Sequence, residues 1–415
     1  MFLDLPVVVI GAGPVGLAAA AHLLERDQSV VLLEAGPAAG HNIRDWGHVR
    51  LFSPWKYLVD PAALRRLEPT GWTLPPPDAL PTGSELVSAY LEPLAAQLQA
   101  HLHTDHRVLS VTRLGHDRMK DGRRSEVPFA VLADTPEGRR RFLARAVIDA
   151  TGTWANPNPM GSEGVPAAGE TEARESVHYG LPNIAGTPER YAGKRVLVIG
   201  SGHSAINNVL SLAELPGTRI AWGVRRANPA QLWGGGDVDE LPARGALGRR
   251  IKAAIDGGRV HLLRSLSIGS LVRNEHGLDV VDVDGVPRCN VDEIIVATGS
   301  RPNRAMTREL RLEFDLPTEA VKALGPIIDP NHHSCGSVPP HGVVELSHPG
   351  EPGFYMVGMK SYGRAPTFLM MTGYEQVRSV AAELAGDLVS ARSVELVLPQ
   401  TGVCSVDGEA SSGCC

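Results

Sequence analysis

Residues 7–16 read VVVIGAGPVG, and residues 17–27 continue LAAAAHLLERD. A run of four β-branched residues suits a strand buried on both faces, and the apolar spacing after Gly16 suits a helix, so the stretch reads strand, glycine turn, helix. In such a turn Gly11 permits a tight bend, Gly13 and Pro14 lie where backbone approaches a pyrophosphate, and Gly16 lets helix pack on strand. The helix N-terminus then offers amide donors and a partial positive charge to phosphate. The next apolar run, SVVLLE at 29–34, ends in Glu34, placed to hold ribose hydroxyls. Together these imply a dinucleotide-binding unit.

The same order recurs in KRVLVIGSGHSAINNVLSLAEL at 194–215. Gly200, Gly202 and Ala205 take the three small-residue places, and His203 and Ser204 open the helix. The following strand, TRIAWGV, runs into Arg225 and Arg226 rather than an acid. Paired guanidiniums suit the extra 2'-phosphate of NADP; the plainer alternative is a solvated basic turn. Two further strands, in AVIDATGTWANPNP and EIIVATGSRPN, each run into Ala-Thr-Gly: Ala150, Thr151 and Gly152 in the first, and a turn ending at Gly299 in the second. Each closes a unit opened by a glycine turn, a duplication of long period. The later PGFYMVGMKSYGRAPTF reads as a strand and turn that complete the first unit, so the second is an insertion.

Composition narrows the partners. With 40 basic and 46 acidic residues the net charge is -6, without the basic excess that nucleic acid binding needs. No apolar run is long enough to span a bilayer, and the opening MFLDLPVVVIGAG carries Asp4 where a signal peptide carries positive charge. A cytoplasmic location is expected. The five cysteines argue against a disulfide framework and for thiol chemistry or metal binding.

Two glycine turns, two Ala-Thr-Gly returns and a late returning strand resemble, over residues 5–390, the two-dinucleotide-binding-domain flavoproteins. That superfamily includes thioredoxin reductases and the flavin-containing and Baeyer-Villiger monooxygenases. The resemblance implies an α/β fold of two doubly wound three-layer (β/β/α) dinucleotide-binding domains, the NADPH domain inserted into the FAD domain. It implies FAD and NADPH as cofactors, with hydride passing between them. The expected boundaries are 1–160 for the first part of the FAD domain, 161–320 for the NADPH domain, 321–390 for the second FAD part, and 391–415 for a cysteine-containing tail.

Thioredoxin-reductase-like enzymes carry a CxxC pair in the NADPH domain, and glutathione-reductase-like ones a pair soon after the first glycine turn. This sequence has neither. GPAAGHNIRDWGHVRLFSPW instead puts Gly40 and Trp46 where the monooxygenase branch packs its flavin, and DHRVLSV, containing Val108, resembles its returning strand. His178 stands at the place of that branch's signature histidine, though the full F-x-G-x-x-x-H-x-x-x-W/P pattern is not present. GMKSYGRAPTFLMMTGYEQVRS at 358–379, with the cysteine-rich end, resembles the flavin monooxygenase-like proteins associated with arsenic-resistance operons. There Gly358 and Met359 are expected to face the flavin, and Lys360 and Arg364 to supply charge that stabilises its reduced form, unless they serve as cap or ion-pair residues.

The chain ends TGVCSVDGEASSGCC. Adjacent thiols suit chelation better than a mutual disulfide, and Cys404, Cys414 and Cys415 together offer three soft sulfurs, a number suited to As(III). The alternatives are an electron shuttle through Cys414 and Cys415, an idle terminus, or a prenylation signal. A second cluster, DPNHHSCGSVPPHG, gathers His332, His333, Cys335 and His341 in a composition that is more often solvated surface than a transition-metal site.

The expected function is an NADPH-dependent FAD oxidoreductase of monooxygenase type acting on a small molecule, linked to arsenic resistance and working as a homodimer. The alternatives are a reductase whose thiol tail serves a soft metal, metalloid or disulfide, as in mercuric or thioredoxin reductases, and a metalloid-binding or redox-sensing flavoprotein with little turnover.

Overall fold

The computed structural model describes residues 4–228, 242–333 and 338–396. Contacts divide the chain into two units: one formed by the chain up to Trp154 together with the chain from Arg301, the other spanning Ala155–Ser300. These divisions fall a few residues before the boundary the sequence suggests at 160 and some twenty before the one at 320. The linker after Gly152 goes with the second unit because Asn158 donates its backbone N–H to Gly299 O at 2.9 Å and its amide to Thr298 O at 3.0 Å.

In the first unit the strands are β1 (Val7–Ile10), β2 (Val30–Leu33), β3 (Leu102–His103), β4 (Arg107–Arg113), β5 (Phe129–Thr135), β6 (Gly138–Ala144) and β7 (Ala146–Asp149). A last strand, β16 (Phe354–Met356), returns after the insertion to lie beside β7, giving a parallel sheet of order β16-β7-β1-β2-β3. β1 sits at its centre, Val7 opposite both Val30 and Ala146. All four β1 residues are buried, as a parallel strand covered on both faces requires. β4, β5 and β6 form a separate antiparallel sheet. Helix α1 (Pro14–Leu24) follows the glycine turn.

The second unit repeats the plan. β8 (Val177–Tyr179), β9 (Arg195–Ile199), β10 (Arg219–Gly223), β11 (Val260–Leu263) and β15 (Glu293–Val296) make a parallel sheet of order β11-β10-β9-β15-β8. β12 (Ile268–Asn274), β13 (Gly277–Asp282) and β14 (Pro287–Val291) form its antiparallel partner. Its helices are α2 (His203–Ala213) and α3 (Pro242–Asp256). The expected fold class therefore holds: parallel sheet, antiparallel sheet and helices in each unit, the second interrupting the first along the chain.

Helix α4 (Met370–Leu384) completes the first unit by packing on α1. Gly373 makes the approach possible, since a Cβ there would lie 2.6 Å from a Val15 methyl. α4 is amphipathic in an unusual sense: Thr372, Glu375, Gln376, Arg378 and Ser379 are all buried with its apolar residues. No helix among the described residues is long and apolar enough to cross a membrane.

Candidate functional site

The first glycine turn is shaped by contacts that exclude side chains. Gly11 adopts φ +98°, and a Cβ on it would fall 2.9 Å from Ala150 O; a Cβ on Gly16 would fall 1.8 Å from Gly11 O. Gly13 caps α1 in extended conformation with no side-chain hydrogen bond, and a Cβ there would meet nothing within 4 Å. Pro14, at the first helical position, removes one N–H that no helical carbonyl would satisfy. The end of α1 thus presents backbone donors to open space, as a pyrophosphate cradle requires.

Glu34, just past β2, accepts from Ala12 N–H at 2.7 Å and Gly36 N–H at 2.8 Å. Gly40, in left-handed conformation, donates its N–H to Ala12 O at 2.9 Å. The turn is therefore held from both sides by the segment after β2. A carboxylate has about four lone-pair positions, so these two bonds leave Glu34 able to accept further donors. Trp46 is half-buried, its ring 6.3 Å from that of Trp154, whose Nε1 donates to Asp45 at 3.0 Å. Val108 lies on β4 opposite Ala133, packed against the first core.

The two strand ends beside the turn are joined by charge. Lys360 Nζ lies 2.7 Å from Asp149 Oδ2 and 2.9 Å from Thr151 Oγ1, and Thr151 Oγ1 donates to Asp149 Oδ1 at 2.7 Å. Lys360 is 2 % exposed and Asp149 0 %. The expectation of a catalytic cation at Lys360 is corrected to this extent: its ammonium is buried against the Asp149 carboxylate and the Thr151 hydroxyl and takes the ion-pair alternative. Arg364 is exposed, 3.8 Å from Glu319. Gly358 has φ +66° and donates its N–H to Gln376 Oε1 at 2.7 Å, and Met359 beside it is half-buried.

In the second unit Gly200 (φ +128°) repeats the role of Gly11, with a Cβ falling 2.2 Å from Ala297 O. Gly202 caps α2 without a side-chain bond, facing open space, and His203 and Ser204 form the first helical positions, half-buried. Arg225, exposed, and Arg226, half-buried, follow the end of β10. Gly299 takes φ +81° and accepts from Asn158.

With this geometry in hand, the chain matches the family described as pyridine nucleotide-disulphide oxidoreductase over residues 8–320. The chain belongs to that family. Among curated relatives, the ferredoxin–NADP reductase of Streptococcus pneumoniae (strain Hungary19A-6) is 27% identical over 215 residues, 52% of this chain and 52% of that protein. The chain thus spans about half the length of the curated relatives it matches. Among solved structures, the bacillithiol disulfide reductase of Bacillus cereus superposes with a TM-score of 0.68 at 19% identity, covering 92% of this chain and 98% of that one. A flavin-containing monooxygenase from Stenotrophomonas maltophilia gives 0.58 at 20% identity, covering 92% and 98%. At these identities the structures show a shared fold.

Other expectations meet different outcomes. His178 lies on the edge strand β8, 3.4 Å from Glu293, which also holds Arg190 and Lys194 at 3.1 Å each. Burial pushes the Glu293 carboxyl up, but these three partners bring it below its ordinary range. His178 is thus part of a charge cluster of the second unit. Of the histidine-rich loop, His332 is exposed, whereas His341 is 2 % exposed, so solvated surface is the wrong description of that residue. Among the described residues no group of three or more potential metal ligands is gathered. Cys335 and the tail cysteines Cys404, Cys414 and Cys415 lie outside the described residues. Cys289 is half-buried on β14, and burial pushes its thiol up to about 11, so it stays protonated.

Sequence reasoning missed Asp149 and Gln376, and placed His341 in a loop whose composition reads as solvated surface although the residue is buried. An aspartate directly before Ala-Thr-Gly at the end of an apolar strand was a legible signal for the first. A glutamine on the apolar face of a core helix was a signal for the second.

Proposed function

We propose that the chain is an NADPH-dependent FAD oxidoreductase of monooxygenase type acting on a small molecule. FAD is assigned to the first glycine turn, with Gly11, Gly13 and the α1 N-terminus on its pyrophosphate and Glu34 on its ribose. NADPH is assigned to the second, with Gly200, Gly202, His203 and Ser204 at the pyrophosphate and Arg225 and Arg226 at the 2'-phosphate. When bound, these groups supply hydride uptake from nicotinamide and delivery of electrons to oxygen or another acceptor. The chain's own residues set the stage: the extended Gly13 and Gly202 open α1 and α2 with no side-chain cap, and the Lys360–Asp149 pair fixes the turn beside the flavin position without placing a net charge there.

The observation that carries the reading is the placement of thiols. No cysteine precedes Cys289, so neither of the cysteine pairs that disulfide-reducing relatives set near their flavin is present. Electrons then leave for oxygen and a small substrate rather than an internal dithiol. A second reading, delivery to a separate acceptor, is favoured by the 27% identity to ferredoxin–NADP reductases. The proposed arsenic link and the thiol-tail role rest on Cys404, Cys414 and Cys415. A homodimer belongs to the same proposal and is tested by light scattering.

The deciding experiment is anaerobic reduction by NADPH followed by oxygen, with and without arsenite, on the full chain and on a chain truncated before Cys404. Fast reoxidation coupled to oxygenation of a small substrate in both chains supports the monooxygenase. Slow reoxidation with acceptor reduction that needs the tail overturns it in favour of the thiol reductase. Slow reoxidation with tail-independent reduction of an external acceptor supports the second reading.

A further inference from the structure

The turn Gly358–Tyr362 is held from below by a hydrogen-bond network in which every proton has one possible place. Gly358 N–H needs an acceptor and finds Gln376 Oε1 at 2.7 Å, which fixes the orientation of that amide. The Gln376 NH2 then faces Ser361 Oγ and His341 Nε2, each at 3.0 Å. Ser361 Oγ spends its own proton on Gly358 O at 2.7 Å, so toward Gln376 it can only accept. On the far side His341 Nδ1 lies 3.1 Å from Pro339 O. A carbonyl only accepts, so Nδ1 carries the hydrogen and Nε2 offers its lone pair to Gln376. Gln376 and Ser361 are 0 % exposed and His341 2 %.

We propose that His341 is a positioning residue that, through Gln376, holds the Gly358 turn in the conformation that receives the flavin and releases it when the imidazole takes up a proton. Assigning flavin to this turn rests on the function proposed above; the coupling of His341 to the turn does not. A protonated His341 presents N–H on both sides, so Nε2–H confronts the Gln376 NH2. Flipping Gln376 to meet it turns NH2 toward Gly358 N–H and removes the turn's anchor. Either orientation leaves a buried donor without an acceptor.

The groups around the imidazole are Glu345 on the short helix after Gly342, Glu375 on α4, and the Tyr362 ring at 5.5 Å. Glu375 is matched by Arg378 at 2.7 Å, and Lys360, on the same turn, by Asp149. Burial lowers the basicity of His341 below the ordinary histidine value of 6.5, more than the two carboxylates restore. The ring is therefore neutral at neutral pH, and release belongs to the acid side.

The test combines hydrogen exchange of the peptide around Gly358, corrected for intrinsic rate at each pH, with FAD dissociation constants from flavin fluorescence, between pH 7.5 and 4.5. The wild-type chain should lose protection at the turn as pH falls below 6.5, and FAD affinity should weaken about tenfold, the value of one unmet buried hydrogen bond. His341→Gln keeps an acceptor that cannot be protonated, so the pH dependence should vanish while neutral-pH affinity stays close to wild type. Gln376→Glu presents a carboxylate to both Gly358 N–H and a charged His341, and should reverse the sign, protecting the turn in acid. Exchange at the turn that is insensitive to pH in the wild type, or equally sensitive in His341→Gln, overturns the proposal. A chain that takes up no FAD at any pH sinks the flavin assignment instead, while the exchange data still decide the coupling.

Discussion

Lys360 Nζ and Asp149 Oδ2 meet at 2.7 Å although the two residues lie 211 positions apart in the chain. Asp149 ends β7, the strand before the insertion, and Lys360 follows β16, the strand after it. β16 contributes only three residues to the sheet, registered Phe354 to Val147, Tyr355 to Ile148 and Met356 to Asp149. The ion pair therefore adds a specific fastening where the ladder is short, and it sets the register in which the Gly358 turn stands beside Ala150–Thr151–Gly152.

Breaking that pair from one side should be costly. Lys360→Met leaves a fully buried carboxylate with only Thr151 as donor, and about 3–5 kcal/mol of stability should be lost, because an unmatched buried charge keeps its desolvation penalty. The double variant Lys360→Met with Asp149→Asn removes both charges and should recover most of the loss. Urea unfolding of the three chains checks this; a single variant within about 1 kcal/mol of wild type would show that the pair carries no such charge burden.

Nucleotide choice should follow Arg225 and Arg226. Replacing both by Ser removes the guanidiniums after β10, and the NADPH dissociation constant should rise about 10- to 100-fold, the worth of one or two charge-assisted hydrogen bonds. NADH binding should change little. Isothermal titration with both nucleotides separates this from general damage, which would weaken the two alike.

The fold was legible because its governing signals are local. β1 with its glycine turn, and β9 with its own, announce themselves through continuous apolar runs and small residues at positions where a Cβ would strike Ala150 O or Ala297 O. The networks were not, because they join residues distant in sequence whose types carry no period. Lys360 could be placed at the turn after β16, but nothing in GMKSYG says that its charge is already matched by Asp149. His341 sits among prolines, glycines and other histidines, a composition that reads as surface, and only packing beneath Tyr362 makes it interior. Gln376 stands out on the buried face of α4, but its type does not say that its partners are Gly358, Ser361 and His341.

A second buried charge centre offers an independent check on the first unit. Glu351, 1 % exposed, stands between Arg113 at 2.6 Å and Arg124 at 2.9 Å, and accepts from Arg311 N–H at 3.0 Å. Burial alone would raise its carboxyl; the two guanidiniums and the backbone donor bring it below the ordinary range. Arg113 also lies over the Phe129 ring at 3.6 Å, tying the centre to the antiparallel sheet. Glu351→Gln leaves two like charges buried together and should cost about 3–5 kcal/mol. Because the pair anchors β4 rather than either glycine turn, NADPH affinity of the folded fraction should be unchanged. A variant that unfolds with the wild-type urea midpoint would refute the assignment.

Acid sensitivity of the fold should trace in large part to His348. The ring is 2 % exposed, lies 5.7 Å from Phe314 and 6.1 Å from Phe354, and accepts Glu313 N–H on Nδ1 at 3.2 Å. Burial pushes its pKa down to about 4 from the ordinary 6.5. Above pH 6.5 folded and unfolded chains both carry the neutral ring and its titration contributes nothing to pH dependence. Between 6.5 and 4 the unfolded chain binds the proton and the folded chain resists it, so stability falls with pH, by about 3 kcal/mol over the window. His348→Gln abolishes this uptake. The variant should start less stable at pH 7, through poorer packing between the two phenylalanines, yet lose about 3 kcal/mol less on going to pH 4. His341 titrates on the same side of neutrality, so the comparison is the difference in acid slope between wild type and variant. Equal slopes would place the proton uptake on other groups and leave His348 a packing residue alone.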